Sequence, residues 1–109
     1  MSNLARIEAL RNFILEEPEN PFNYYALALE LQQIDPKETQ DLLMFLLTNY
    51  EDYLPMYFPG AHFFWENGDL NSAKDFFEKG ISLAKSQNNL KAQQELNNAY
   101  QNFLFETED

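Results

Sequence analysis

Residues 54–87 read LPMYFPGAHFFWENGDLNSAKDFFEKGISLAKSQ. Two apolar-periodic runs are divided here by Asn67-Gly68-Asp69. A helix closes most cheaply on a left-handed Gly or Asn. Asp69 or Asn71 then offers an oxygen to cap the next helix. The stretch therefore predicts a helix over roughly Leu54 to Glu66, a tight turn, and a second helix ending near Gln87. Tyr57, Gly60, Ala61 and Phe64 share one face of the first helix. Ala73, Phe77 and Gly80 share a face of the second, with Phe76, Ile81 and Ala84 beside them. Small residues let two helix backbones approach, and large ones fill the space alongside. Pro59 is at odds with a helix that starts at Leu54, because an interior proline forfeits a hydrogen bond and clashes. The helix is expected to start late, near Phe58, or to kink.

Four more helices follow by working outward. Leu4, Ile7, Leu10, Phe13 and Ile14 make one stripe over residues 3–16, ended by Glu16-Glu17-Pro18 and Pro21. Asn20-Pro21 starts a second helix, with Tyr24, Leu27, Ala28 and Leu31 on one face. Asp35-Pro36-Lys37-Glu38 has the form of a capping box and opens a third, to Asn49, with Leu42, Leu43, Leu46 and Leu47 inward. After the break at Ser86-Gln87-Asn88-Asn89, a last helix spans Leu90 to Phe105. Its inward residues are Leu96, Ala99, Tyr100, Phe103 and Leu104. The acidic end, Glu106 to Asp109, is expected to fray. Six helices without a strand signal predict an antiparallel all-α assembly in a single domain over 1–109.

Composition narrows the function. The chain has 109 residues, a net charge of −11 and no cysteine. Residues 1–54 carry ten acids and three bases (−7), and residues 55–109 eight acids and four bases (−4). Nucleic-acid binding rests on clustered Lys and Arg, and attraction to an anionic membrane on the same clusters. Neither is present, so neither partner is expected. Thiolate chemistry and disulfides are excluded. The N-terminus lacks an apolar signal core, and no run nears the roughly 20 apolar residues of a membrane helix. The expectation is a cytoplasmic protein.

The two-helix pattern in 54–87 resembles the tetratricopeptide repeat family, whose unit is a helix-turn-helix of about 34 residues. It departs from that family in places. Gly60 stands where leucine is usual, Ala61 where glycine is usual, Tyr57 in place of tryptophan, and Lys85 in place of the closing proline. Residues 21–53 form a divergent copy: Tyr24, Leu27, Ala28 and Leu31, then Thr39, Leu43 and Leu46, with Glu51 for the closing proline. Residues 3–17 look like the second half of an earlier unit, and 89–106 like a capping helix. The chain looks most like the short single-domain bacterial members of the family. The resemblance implies a short right-handed α-α superhelix of about six helices and a protein–protein interaction role.

It also implies which residues face the concave surface, since the first helix of each pair lines it. These are Phe22, Tyr25, Leu29 and Gln32 in the first repeat, and Phe58, His62, Trp65 and Glu66 in the second. Most are apolar or aromatic, the kind of surface that anchors a partner. Three outcomes stay open: a groove for a peptide or partner helix, a face covered by the terminal helices, or a homodimer contact. The surrounding acids favour a partner with basic flanks. Family members that clamp a C-terminal carboxylate use Lys, Arg and Asn where this chain has Tyr25, Leu29, Phe58 and His62, so no such clamp is expected.

His62 and Glu66 stand four apart on one helix face, a spacing that suits a shared metal or proton. Two ligands are too few for a metal site, and no second His or Cys exists to complete one. A His–carboxylate pair can serve as a general base, but no motif supplies a nucleophile or oxyanion site. No cofactor motif is present. The expected protein is not an enzyme and carries neither cofactor nor metal.

Overall fold

A computed structural model describes residues 2–108. Among them are six α-helices and no strand. These are α1 (Ser2–Glu16), α2 (Pro21–Leu31), α3 (Pro36–Asn49), α4 (Tyr57–Glu66), α5 (Leu70–Ser86) and α6 (Leu90–Thr107). One 3-10 turn, Leu54–Met56, leads into α4. The helices group into two units, one ending at Tyr53 and one beginning at Leu54. No helix among the described residues is long and apolar enough to cross a membrane.

In the first unit α2 lies against both α1 and α3. Ile7 and Leu10 of α1 pack with Ala26, Leu27 and Leu31 of α2, and Ile14 and Leu42 close over them. The α1 stripe is narrower than the sequence predicts. Leu4 and Phe13 are exposed, because one partner helix covers only one face of a terminal helix. The starts of α2 and α3 are capped. Asn20 Oδ1 accepts from the Phe22 amide, and Asp35 Oδ1 from the Glu38 amide. The Thr39 hydroxyl donates to the buried carbonyl of Ala28 at 2.9 Å, joining α3 to α2.

The capping box at Asp35 is only half made. The Glu38 carboxylate does not return to the Asp35 amide, which donates to the Leu31 carbonyl instead. Glu38 takes two hydrogen bonds from Arg11 of α1, at 2.7 and 2.9 Å. The Arg11 hydrogen bonds hold the Glu38 carboxyl below its ordinary range and push the guanidinium up. A depressed carboxyl pKa stabilises the fold above the unfolded-state pKa, and that stability is lost as pH falls through the folded value. Solvent screens this half-exposed pair, so its contribution stays below about 1 kcal/mol. Glu38→Gln is expected to lower stability by about 0.5 kcal/mol near neutral pH. The difference from the parent should vanish in acid, below the range where Glu38 ionises. Urea melts across that range check the sign.

In the second unit α5 lies against both α4 and α6. Tyr57, near the start of α4, sits over Gly80, late in α5. Phe64, near the end of α4, packs on Phe76, early in α5, with ring centroids 5.2 Å apart. The two helices are therefore antiparallel. Pro59 is the third residue of α4. No intrahelical partner exists for an amide there, so the helix accepts proline without a break. This corrects the start at Leu54. The late start is the alternative realised, three residues after the 3-10 turn begins. At the other end α6 continues to Thr107, two residues past the predicted end. The Thr107 hydroxyl donates to the Phe103 carbonyl and holds that last turn. Asp109 lies outside the described residues.

The links α4–α5 and α5–α6 share one geometry. Gly68 (φ 82°) closes α4 and Asn88 (φ 57°) closes α5. Their amides donate to Trp65 and Lys85 carbonyls. The next amides, of Asp69 and Asn89, donate to Phe64 and Ala84 carbonyls at 2.9 Å each. Both are Schellman closures. Asp69 and Asn89 then cap the following helix through the amides of Ser72 and Ala92. A side chain is strained at these φ values and glycine is not. Gly68→Ala should therefore destabilise by about 1 kcal/mol, although an added Cβ would meet nothing within 4 Å. Asn88→Gly should stabilise by about 0.5 kcal/mol. Paired denaturation curves test both signs.

The positions that the sequence pairs between 21–53 and 54–87 are buried in parallel. Leu27, Ala28, Leu31, Thr39, Leu43 and Leu46 are at most 3% exposed in the first unit. In the second, Tyr57, Ala61, Phe64, Ala73 and Phe77 are at most 1% exposed, and Gly60 and Gly80 are buried. Tyr24 alone differs from its counterpart Tyr57. It is half-buried, with its hydroxyl donating to the Pro18 carbonyl.

Candidate functional site

The aromatic run of α4 sets the site. Positions 58, 62 and 65 follow one another at four and three residues, so they share a helix face. Tyr57, Ala61 and Phe64 use the adjacent face against α5 and leave this one outward. The His62 ring packs on Phe58 (4.6 Å between centroids), Trp65 (5.7 Å) and Phe77 of α5 (5.8 Å). Trp65 meets the edge of Phe103 of α6 at 5.1 Å. Phe77 and Phe103 thus form the floor beneath these rings. The Tyr100 hydroxyl donates to the Glu78 carboxylate and ties α6 to α5 beside that floor. Burial, then that hydrogen bond to Glu78, push the Tyr100 pKa up to about 12.

A groove of about 530 Å³ runs along this face between α4 and α6. Phe58, His62 and Trp65 form one wall. Glu95, Ala99, Asn102 and Glu106 of α6 form the other, spaced four, three and four residues apart, again one helix face. A separate hollow of about 260 Å³, lined also by Leu54, Pro55 and Asn89, shares Phe58 and Glu95 with it. Phe58 is 41% exposed in its wall. Trp65 and His62 are half-buried. No lysine or arginine is among the lining residues.

The eight residues singled out in the sequence are placed as follows. Phe58, His62 and Trp65 come together in the groove. Glu66 is exposed and is not part of its walls. The other four belong to the first unit. There Phe22 is exposed, and Tyr25 packs on Phe22 (6.5 Å) and on Tyr53 (5.7 Å). Burial pushes the Tyr25 and Tyr53 hydroxyls up from their ordinary pKa, Tyr53 with a contribution from Tyr25. Leu29 is half-buried, and Gln32 donates to the Leu29 carbonyl at the end of α2. The α6 wall was missed. Its acids and amides read as a solvated surface, and only their shared face relative to α4 marks them.

The His62–Glu66 pair is not made, since no hydrogen bond or ion pair joins the two among the described residues. His62 Nε2 is buried and has no hydrogen-bond partner among the described residues. The ring is held by aromatic packing instead of by a carboxylate. Nor do three or more His, Cys, Asp or Glu side chains converge as a metal site would need, among the described residues. A second depression, of about 370 Å³, lies in the first unit against Ile14, Tyr24 and Leu42. The charges at its edge, Arg11 and Glu38, are spent on each other.

Compared with protein-family models, with curated proteins and with solved structures, the chain finds no match in any of the three.

Proposed function

We propose that this chain is a non-catalytic protein–protein interaction module of the helical-repeat kind, and that a peptide segment of its partner lies in the α4–α6 groove. The observation that carries the reading is the pairing of an aromatic wall, Phe58, His62 and Trp65, with an open, polar α6 wall across a continuous groove. Aromatic rings supply contact area at low entropic cost. The Asn102 amide makes no hydrogen bond among the described residues, leaving it free for a peptide backbone, which needs both a donor and an acceptor.

The resemblance to the tetratricopeptide repeat family fits this reading. Its support within the chain is the parallel burial of the two repeats and the recurrence of one turn geometry. A short right-handed superhelix is the architecture the resemblance implies. A catalytic role has less to stand on, because the one histidine packs on aromatic rings and its buried Nε2 has no hydrogen-bond partner among the described residues.

Peptides selected from a random display library on the immobilised chain test the proposal. Binding of the selected peptides should be lost in Phe58→Ala with Trp65→Ala, while the far-UV circular dichroism stays that of the parent. Undiminished binding to the folded double variant would remove the groove from the account.

A further inference from the structure

The walls of the groove also bear on the chemistry of the peptide, given that a peptide docks there as proposed above. Glu95 and Glu106 stand on one face of α6 with Ala99 and Asn102 between them. Eleven residues of helix separate them, which is about 16 Å. An extended chain covers that distance in about five residues. Neither carboxylate takes part in an ion pair or hydrogen bond among the described residues. With 18 acids and seven bases, most acids have no base to pair with, and the bases that are paired serve other acids: Arg6 with Glu30, Arg11 with Glu38, Lys37 with Asp41. The midpoint differs from the ends. Ala99 is small and half-buried, and it lines the groove together with His62.

We infer that the groove selects an extended segment of about five residues with a cationic side chain near each end and an apolar one at its centre. The central side chain enters beside Ala99 against the aromatic wall. The flanking cations meet Glu95 and Glu106. The end at Glu95 also presents Phe58, and the end at Glu106 presents Trp65. An arginine placed there gains both a carboxylate and a ring face. The chain's net charge of −11 speeds the approach of such a segment. Acidic or phosphorylated segments are rejected by the same walls.

Three capped pentapeptides separate the terms: arginine-alanine-leucine-alanine-arginine, the same with glutamine at both ends, and the same with glutamate at both ends. Trp65 is the chain's only tryptophan and lines the groove, so its emission reports binding directly. The arginine peptide should bind about tenfold more tightly than the glutamine peptide, as two exposed charge pairs allow, and lose that advantage in high salt. The glutamate peptide should bind most weakly. The preference should disappear in Glu95→Gln with Glu106→Gln. Equal binding of the arginine and glutamine peptides, or a preference that survives the double glutamine variant, would overturn the inference and leave peptide docking intact. Failure of all three, while library-selected peptides still bind through Phe58 and Trp65, would overturn it as well. Failure of the library selection itself counts against docking.

Discussion

Phe77→Ala is expected to destabilise the protein by about 3–5 kcal/mol, the range for removing a fully buried phenylalanine. Phe77 is 0% exposed. Its ring lies within 6.4 Å of the rings of His62, Trp65, Tyr100 and Phe103, so α4 and α6 both rest on it. Truncation leaves a cavity under the groove that neither helix can close without losing its contacts on α5. Domain stabilities run only to about 5–15 kcal/mol, so the loss should be plain in a urea melt followed by Trp65 emission. Phe105→Ala is the matched control. That ring is 78% exposed, and its removal should change stability by less than about 0.5 kcal/mol. A Phe77→Ala loss under about 1 kcal/mol would mean that α4 and α6 do not rest on Phe77.

The second large effect concerns Gly80. A Cβ added there would lie 2.6 Å from Tyr57 Cβ, 3.0 Å from Tyr57 Cγ and 3.1 Å from a Leu96 methyl. The leucine methyl can give way by rotation. Tyr57 Cβ cannot, because it is fixed to the α4 backbone. Ala favours a helix interior over Gly by about 1 kcal/mol, which works against the clash. Forcing apart two packed helices costs about 1–3 kcal/mol or more, and here it also disturbs the α6 contact. Gly80→Ala should therefore destabilise by about 2 kcal/mol net, with Gly80→Val worse. A stabilising Gly80→Ala would show that α4 and α5 are further apart than described. Thermal melts of the two variants decide it.

That contact also indicates what a sequence can express. The small–large–small pattern of Ala73, Phe77 and Gly80 announces a close helix crossing because close approach requires a missing side chain, and a missing side chain is visible. Gly68 is legible for a similar reason, since a positive φ restricts the residue type, whereas within Ser86-Gln87-Asn88-Asn89 the sequence does not single out Asn88 as the closing residue. Asn20, Asp35 and Asp69 are legible as caps. Pro59 was ambiguous because proline suits the first turn and not the interior, and the spacing alone did not place the helix start.

Other features depend on what covers a face, and periodicity is silent on that. Leu4 and Phe13 extend the α1 stripe but stay exposed, while Phe63, outside every predicted stripe, is 4% exposed. Three aromatic residues in succession, Phe63, Phe64 and Trp65, cannot point the same way on a helix. Their burial depends on neighbours remote in sequence. Glu38 fits a capping box equally well, and only the fold brings Arg11 within reach. The candidate site divides along the same line. Phe58, His62 and Trp65 were readable as one face of α4. The opposing wall on α6 was not, because Glu95, Asn102 and Glu106 resemble any solvated helix surface until α4 stands across from them.

The docking site itself can be mapped by amide chemical shifts, recorded on the full chain as a library-selected peptide is added. The account predicts that the largest shifts fall on the facing sides of α4 and α6, at Phe58, His62, Trp65, Ala99 and Asn102, with the indole of Trp65 among them. Shifts centred instead on the first unit, around α1 and α3, would contradict it.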